Sequence, residues 1–260
     1  MYKSFTAEDY RNHWKLPVDY KVHGFIIFGT CHPGPYDQLK AELSDLGVLV
    51  EYKRTLAGPY FDPILEFTVN RKNYWFAIAY GGTMLSEWIH LACLFGSETN
   101  IVIGSCGGLL VGADSPQIIV PSFAYADESS TRMYEPSVDN HHNSTETLSR
   151  RLIEDLEAKH TVWQGPTVTC QAMMAETWED IQEWSKAGYY GVEMEAATVF
   201  AVSNHFGRDC AALLVIGDNL VQEKTVLDVN YESGSITRQN VRGDMLSAAL
   251  RELLAADSGE

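Results

Sequence analysis

The stretch IVIGSCGG, residues 101–108, joins a short apolar run directly to a glycine-rich segment. Three other stretches repeat this arrangement: FIIFGT at 25–30, FAIAYGGT at 76–83 and ALLVIGDN at 212–219. Short continuous apolar runs are typical of strands buried on both faces of a parallel sheet, and the glycines at their ends favour strands over buried helix segments. We therefore predict four central strands whose carboxyl ends meet at one ligand-binding edge.

Helix-type spacing of apolar residues occurs between these predicted strands, at 35–47, 86–96, 145–160 and 176–188. The segment 240–260 predicts a closing amphipathic helix with a frayed acidic tail, whereas the polar residues 121–144 predict a long loop at the ligand-binding edge. Alternating strands and helices predict an α/β fold. We expect a single domain over residues 1–260, with a central mixed, largely parallel twisted sheet flanked by helices.

Composition excludes several classes of protein. The net charge of −16, from 35 acidic and 19 basic residues, argues against a nucleic-acid partner. The sequence contains neither a signal-peptide core nor the roughly 18 consecutive apolar residues that a membrane helix needs, so we expect a cytoplasmic protein. The five cysteines lack a CxxC pair, and His32, His141 and His142 lack partners at metal-ligand spacing. We expect no disulfide, no metal and no cofactor.

Three short motifs carry candidate chemistry, and each leaves an alternative open. The glycines of GSCGG at 104–108 would let N–H groups approach an anion, with Ser105 as a further donor, but a tight strand-to-helix turn explains them equally well.

In GVEMEAATVF at 191–200, a buried glutamate would be satisfied by a sugar diol, or it would cap a helix or form a salt bridge. Asp218 follows five apolar residues, so burial would raise its pKa and provide a proton donor, although an Asp-Asn turn is the alternative.

The order and spacing of GSCGG, GVEMEAA and GDN resemble the nucleoside phosphorylase superfamily, which includes hexameric purine nucleoside phosphorylases, uridine phosphorylases and methylthioadenosine/S-adenosylhomocysteine nucleosidases. The resemblance implies that Glu195 binds the ribose 2′- and 3′-hydroxyls, that Met194 packs under the sugar, and that Asp218 contacts the base and protonates a purine nitrogen. It also implies phosphate as a co-substrate and a homodimer or a hexamer built as a trimer of dimers.

The expected base preference rests on Asp218, and two other positions depart from the family pattern. ADESSTRMY at 126–134 resembles uridine phosphorylases, but these generally lack the aspartate, so Asp218 favours purine nucleosides. Met173 falls where purine nucleoside phosphorylases carry a phenylalanine against the base, and a thioether preserves such packing. Gln171 stands where the family commonly has an acidic residue.

The predicted phosphate-binding residues depart further from the family pattern. The resemblance assigns the anion to Ser105, Gly107 and Thr30, with His32 and Gly34 as neighbours. Val102 stands where phosphorylases usually carry an arginine, and the loop GTCHPGP at 29–35 has none either. Because a bidentate arginine is among the strongest phosphate contacts, we expect Arg54 of a neighbouring subunit to compensate.

The expected reaction is therefore phosphorolysis of a purine nucleoside, giving free base and ribose 1-phosphate. Three alternatives remain open: hydrolysis by water, which Val102 favours; phosphorolysis of uridine; and a noncatalytic protein of the same fold that binds or stores nucleosides.

Overall fold

A ten-stranded mixed sheet runs through the centre of the part of the chain that the computed structural model describes, residues 1–229 and 231–255. Its strands are β1 (Gly24–Gly29), β2 (Val50–Lys53), β3 (Ile64–Val69), β4 (Lys72–Ala79), β5 (Thr99–Gly108), β6 (Ile118–Tyr125), β7 (His141–Asn143), β8 (Val162–Thr169), β9 (Gly191–Glu193) and β10 (Asp209–Asn219). The helices are α1 (Ala7–Trp14), α2 (Gly34–Asp45), α3 (Gly82–Leu94), α4 (Ser129–Arg132), α5 (Glu146–Leu156), α6 (Trp178–Lys186), α7 (Ala196–His205) and α8 (Ser235–Ala255).

The centre of the sheet is parallel, as the sequence predicts, with neighbours in the order β4, β1, β5 and β10. Antiparallel pairs extend it: β2 and β3 continue beyond β4, while β6 pairs with β10 and β9 with β5. Parallel pairs of β8 with β6 and β9 then close β5, β10, β6, β8 and β9 into a ring. The predicted mixed sheet is confirmed, but its antiparallel share is larger than "largely parallel" implies.

Alternating side chains of the central strands enter two apolar layers. Phe25, Ile27 and Val102 pack with α3 and α7 on one face, whereas Ile26 and Ile103 pack with α2, α5 and α8 on the other. Because both faces are covered, these strands need continuous apolar runs rather than alternation. Each such side chain contributes about 1.5–3 kcal/mol by its burial, so the sheet is a rigid support for its strand ends.

The predicted helices are confirmed with shifted ends, but the long loop predicted at 121–144 is wrong. Strand β6 continues to Tyr125, and β7 pairs with it antiparallel, with Ala124 opposite His142. The polar sequence conceals this strand because His142 is buried and its Nδ1 lies 2.7 Å from a carboxylate oxygen of Glu135. Helix α8 begins five residues before the predicted start, and the predicted acidic tail at 256–260 lies outside the described residues.

Two further observations on the described residues concern the cysteines and membrane-spanning helices. All five cysteines are free thiols, of which Cys93, Cys106 and Cys210 are buried. Across residues 1–229 and 231–255, the structure contains no helix with both the length and the apolar character needed to cross a bilayer.

Candidate active site

The glycine-rich motifs GSCGG and GDN continue their strands, so both turn alternatives are wrong. Strand β5 extends through Gly108, and β10 extends through Asn219, with Asp218 opposite Gly107. The glycine at 107 permits close packing, since a Cβ there would lie 2.6 Å from Leu220 Cδ1. Gly107 also pairs with Val192 of β9, so Asp218 and the GVEME segment lie about two strand spacings, roughly 10 Å, apart.

The first glutamate of that segment, Glu193, stabilises the start of α7. One carboxylate oxygen accepts the backbone N–H groups of Glu195 and Ala196, each at 2.7 Å, and the other accepts the Thr169 hydroxyl. These N–H groups have no partner within the helix, and capping them is favourable. The helix-cap alternative therefore describes Glu193, not Glu195.

The second glutamate, Glu195, is buried with spare acceptor capacity. It is 5% exposed, and its Oε1 accepts the N–H of Gly81 at 2.7 Å. Its Oε2 faces β1, where a Cβ on Gly29 would lie 2.9 Å from it. Burial, and then the nearby charge of Glu193, raise the pKa of this carboxyl group. Hydroxyl donors would offset that burial penalty, and the missing side chain at Gly29 leaves them an approach.

Gln171 connects the segments on either side of this carboxylate. Its Oε1 accepts the N–H of Gly82 at 2.8 Å, and its Nε2 donates to the carbonyl of Met194 at 2.8 Å. Met194 is half-buried. The amide thus fixes the N-terminus of α3 relative to Met194. The sequence gives no signal for this bridge, because it joins positions that are 89 and 23 residues away from Gln171.

Asp218 lines a cavity of about 510 Å³ together with Tyr231, Arg238 and Asp228. Burial raises the pKa of Asp218 to about 6, although backbone N–H groups and Arg238 oppose the shift. A carboxyl group with this pKa is partly protonated near neutral pH, which is the direction expected from its position after an apolar strand.

Two further side chains belong to the short 3-10 turn that follows β8. Met173 is 41% exposed at the start of this turn. Glu176 ends that turn and is half-buried; burial raises its pKa, with a smaller contribution from the charge of Asp218. Glu176 was absent from the predicted site, and it adds a second carboxyl group to the region around Asp218.

The residues of the first loop lie beside a different cavity, of about 650 Å³, which Thr30 and His32 line together with Gly81. Thr30 donates its N–H to the carbonyl of Ala79 at 2.9 Å. Gly34 begins α2, and its N–H donates to Nδ1 of His32 at 3.3 Å. Thr30 is thus brought close to Gly81, the partner of the Glu195 carboxylate.

Arg54 does not line this cavity within its own chain, although its ion-pair partner, Asp62, does. Its guanidinium forms an ion pair with Asp62 on the surface, and its side chain is 72% exposed. Its predicted role across a subunit boundary stays a prediction. Val102 is fully buried in the apolar layer against α3 and α7, so it presents no polar group to an anion.

An unpredicted arginine contacts the GSCGG strand instead. Arg242 of α8 donates a hydrogen bond to the hydroxyl of half-buried Ser105, and its buried Nε has no hydrogen-bond partner among the described residues. One turn earlier, Arg238 is buried and donates to the carbonyl of Tyr231 at 2.9 Å. The signal available in the sequence is the i, i+4 spacing of two arginines on a helix with buried neighbours such as Val241 and Met245.

The carboxyl ends of the sheet therefore carry a buried glutamate with spare acceptor capacity, an aspartate with a raised pKa and a serine bonded to an arginine. This arrangement is typical of α/β proteins that bind a small polar ligand at their strand ends. A family model described as "Phosphorylase superfamily" matches residues 82–248, which is more than half of the chain. The chain belongs to this superfamily.

Individual relatives share low sequence identity with the chain. The chain is 31% identical over 130 residues to the guanosine phosphorylase of Halorubrum lacusprofundi, covering 48% of this chain and 52% of the relative. It is 25% identical over 166 residues to a DeoD-type purine nucleoside phosphorylase of Xenorhabdus nematophila, covering 63% and 66% of the two chains. It is 22% identical over 219 residues to the same type of enzyme from Actinobacillus pleuropneumoniae, covering 79% and 88%. The chain thus spans between half and two thirds of the first two relatives.

Proposed function

We propose that the protein cleaves the N-glycosidic bond of a purine nucleoside by phosphorolysis, giving free base and ribose 1-phosphate. The observation that carries this proposal is the buried carboxylate of Glu195. One of its oxygens accepts a hydrogen bond from the Gly81 N–H, and the other faces Gly29 of β1, which has no side chain. A vicinal diol supplies the two O–H donors that such an acceptor lacks.

In the proposed reaction, a phosphate oxygen forms a bond to C1′ of the ribose while the bond from C1′ to the purine nitrogen breaks. The electron pair of that bond passes to the purine, which takes a proton on a ring nitrogen from the carboxyl group of Asp218. Asp218 leaves the step ionised and regains a proton from solvent. Its raised pKa, about 6, supports this role because a general acid must be protonated at the working pH.

Glu195 and Met194 would hold the ribose in this scheme, and Met173 would pack against the base. Gln171 supports the first pair through its bonds to Gly82 and to the Met194 carbonyl. Fixing the sugar between these groups lowers the entropy cost of bringing C1′ and the phosphate together.

The names of the relatives support a purine substrate, with guanosine as the first nucleoside to test. The assembly into a homodimer or hexamer and the cytoplasmic location, both expected from the sequence, complete the proposal.

Hydrolysis is the second candidate, and one observation favours it. Val102, which replaces the arginine usual in phosphorylases, is fully buried, so that position contributes no phosphate contact. Water would then attack C1′ and give free ribose.

The experiment is incubation of guanosine, inosine, adenosine and uridine with the protein, with and without phosphate, followed by separation of base, ribose and ribose 1-phosphate. We expect base release from purine nucleosides that requires phosphate. Base release at the same rate without phosphate would establish hydrolysis, and ligand binding without any product would establish a noncatalytic nucleoside-binding protein.

A further inference from the structure

Arg242 is a largely buried cation without an anionic partner in the structure. Within residues 1–229 and 231–255, none of the ion pairs involves this side chain. Its hydrogen bond goes to the neutral hydroxyl of Ser105, and its Nε–H is buried without an acceptor. Buried charges are normally paired, so this guanidinium is suited to bind an anion.

A second cation increases the need for an anion at this point. Arg238 lies four residues earlier on α8, and its charge, after burial, lowers the pKa of Arg242. Like charges at i, i+4 on a helix repel each other. Arg238 is held by the carbonyl of Tyr231 and lies 4.0 Å from the centre of the Tyr231 ring. Arg242 has no comparable anchor beyond Ser105, so its guanidinium is the one that a bound anion would neutralise.

The strand that carries Ser105 passes beside the predicted ribose site. Gly104, the preceding residue, has its Cα 3.6 Å from the point that a Cβ on Gly29 would occupy. The same point lies 2.9 Å from Oε2 of Glu195. Glycines at 29 and 104 therefore leave a gap between the carboxylate and the Ser105 strand. Gly104 thus borders the predicted ribose site, and the next residue, Ser105, reaches Arg242 of α8 on the other face of β5. An anion at Ser105 would then lie one residue along β5 from the gap beside Glu195.

We propose that Arg242 and Ser105 bind the phosphate co-substrate, and that Arg242 supplies from α8 the guanidinium that the chain lacks at position 102. This inference rests on the proposed phosphorolysis. A guanidinium offers a planar pair of N–H donors that matches two phosphate oxygens, and the Ser105 hydroxyl adds a third donor. The fold thus supplies a phosphate contact through the helix that packs on the other face of β5.

The first test is steady-state kinetics of Arg242→Gln with guanosine and inorganic phosphate. We expect the KM for phosphate to rise on the order of 10- to 100-fold, as for loss of a hydrogen-bonded charge, while the KM for guanosine changes little. Arg242→Lys keeps the charge without the planar donor pair and should recover part of the loss. Arg251→Gln is the matched control, because Arg251 lies on the same helix but pairs with Asp155 at the surface.

The second test measures binding without turnover. Inorganic phosphate should raise the melting temperature of the wild-type protein, and this shift should be lost in Arg242→Gln but kept in Arg251→Gln. Removing an unpaired, largely buried charge should not lower the melting temperature without phosphate, so a folding defect is recognisable.

The outcomes separate this inference from the proposed function. Wild-type protein that cleaves guanosine at the same rate without phosphate contradicts the phosphorolysis itself. Wild-type phosphorolysis with an unchanged phosphate KM in Arg242→Gln overturns the role of Arg242 alone. A raised phosphate KM in Arg54→Gln combined with a normal value in Arg242→Gln would assign the anion to Arg54 instead.

Discussion

Replacement of Glu195 by glutamine isolates the acceptor on which the proposed ribose site depends. The amide keeps the size of the carboxylate, and its oxygen can still accept the Gly81 N–H. Its NH₂ group then takes the place of the oxygen that faces Gly29. A ribose hydroxyl that donates to that oxygen loses its acceptor. Loss of a hydrogen bond to a charged group costs about 1.5–3 kcal/mol, so kcat/KM for guanosine should fall about 10- to 150-fold.

The same substitution, which lowers activity, should raise the stability of the folded protein. Burial and Glu193 raise the pKa of Glu195 above its ordinary value of 4.5. A carboxyl group whose pKa is raised by folding destabilises the protein as pH rises from its unfolded pKa through its folded pKa, because ionisation is favoured in the unfolded chain. Glutamine removes this ionisation. Glu195→Gln should therefore melt at a higher temperature than the wild type at pH 8, with a smaller difference at pH 5.

Glu193→Ala provides the matched control. This change leaves the N–H groups of Glu195 and Ala196 and the Thr169 hydroxyl without their acceptor. It should lower the free energy of unfolding by about 2 kcal/mol or more. The assays are base release from guanosine and thermal melting followed by circular dichroism. A Glu195→Gln protein with wild-type kcat/KM, or one that melts well below the wild type at pH 8, would refute the proposed role of this buried carboxylate.

Three further expectations concern the base side, the bridging amide and metal ions. For Asp218→Asn, the ratio of wild-type kcat/KM to variant kcat/KM should be about 100 below pH 6 and should fall about tenfold per pH unit above pH 6. The ratio falls because burial raises the pKa of Asp218 to about 6 and only its protonated form donates, whereas the titration of Glu195 cancels in the ratio. A ratio independent of pH contradicts this role. Gln171→Ala removes the bonds to Gly82 and Met194 and should raise the guanosine KM about fivefold, the equivalent of about 1 kcal/mol, so an unchanged KM counts against the bridge. EDTA should leave base release unchanged, because the proposed reaction takes its proton from Asp218 and neutralises the phosphate with Arg242. Activity that is lost with EDTA and restored by a divalent cation would contradict this scheme.

The central strands and most helices could be predicted because their signals are local. Phe25–Phe28 and Ile101–Ile103 are continuous apolar runs, and burial on both faces requires such runs. The hairpin from β3 to β4 was missed because its two-residue turn is formed by Asn70 and Arg71, with φ of 50° and 66°. Such turns usually contain Asn-Gly or Asp-Gly, and arginine at positive φ gives no turn signal.

The candidate site residues also differ in whether their signal in the sequence is local. Glu195 and Asp218 could be proposed from the sequence because their motifs are short and continuous. GSCGG was ambiguous because glycines that allow close packing, as at Gly107, look the same in a sequence as glycines in a turn. Arg242 was missed because its contact with Ser105 spans 137 positions. Only the packing of α8 against β5 brings the two side chains together.

The most direct test of the account follows the oxygen atoms of phosphate. Guanosine is incubated with the protein and with inorganic phosphate that carries ¹⁸O at all four positions, and the sugar product is identified by mass spectrometry. Phosphorolysis predicts ribose 1-phosphate that retains all four labelled oxygens, because the bond to C1′ forms from a phosphate oxygen. Unlabelled free ribose with the phosphate left intact would contradict the account and establish water as the nucleophile.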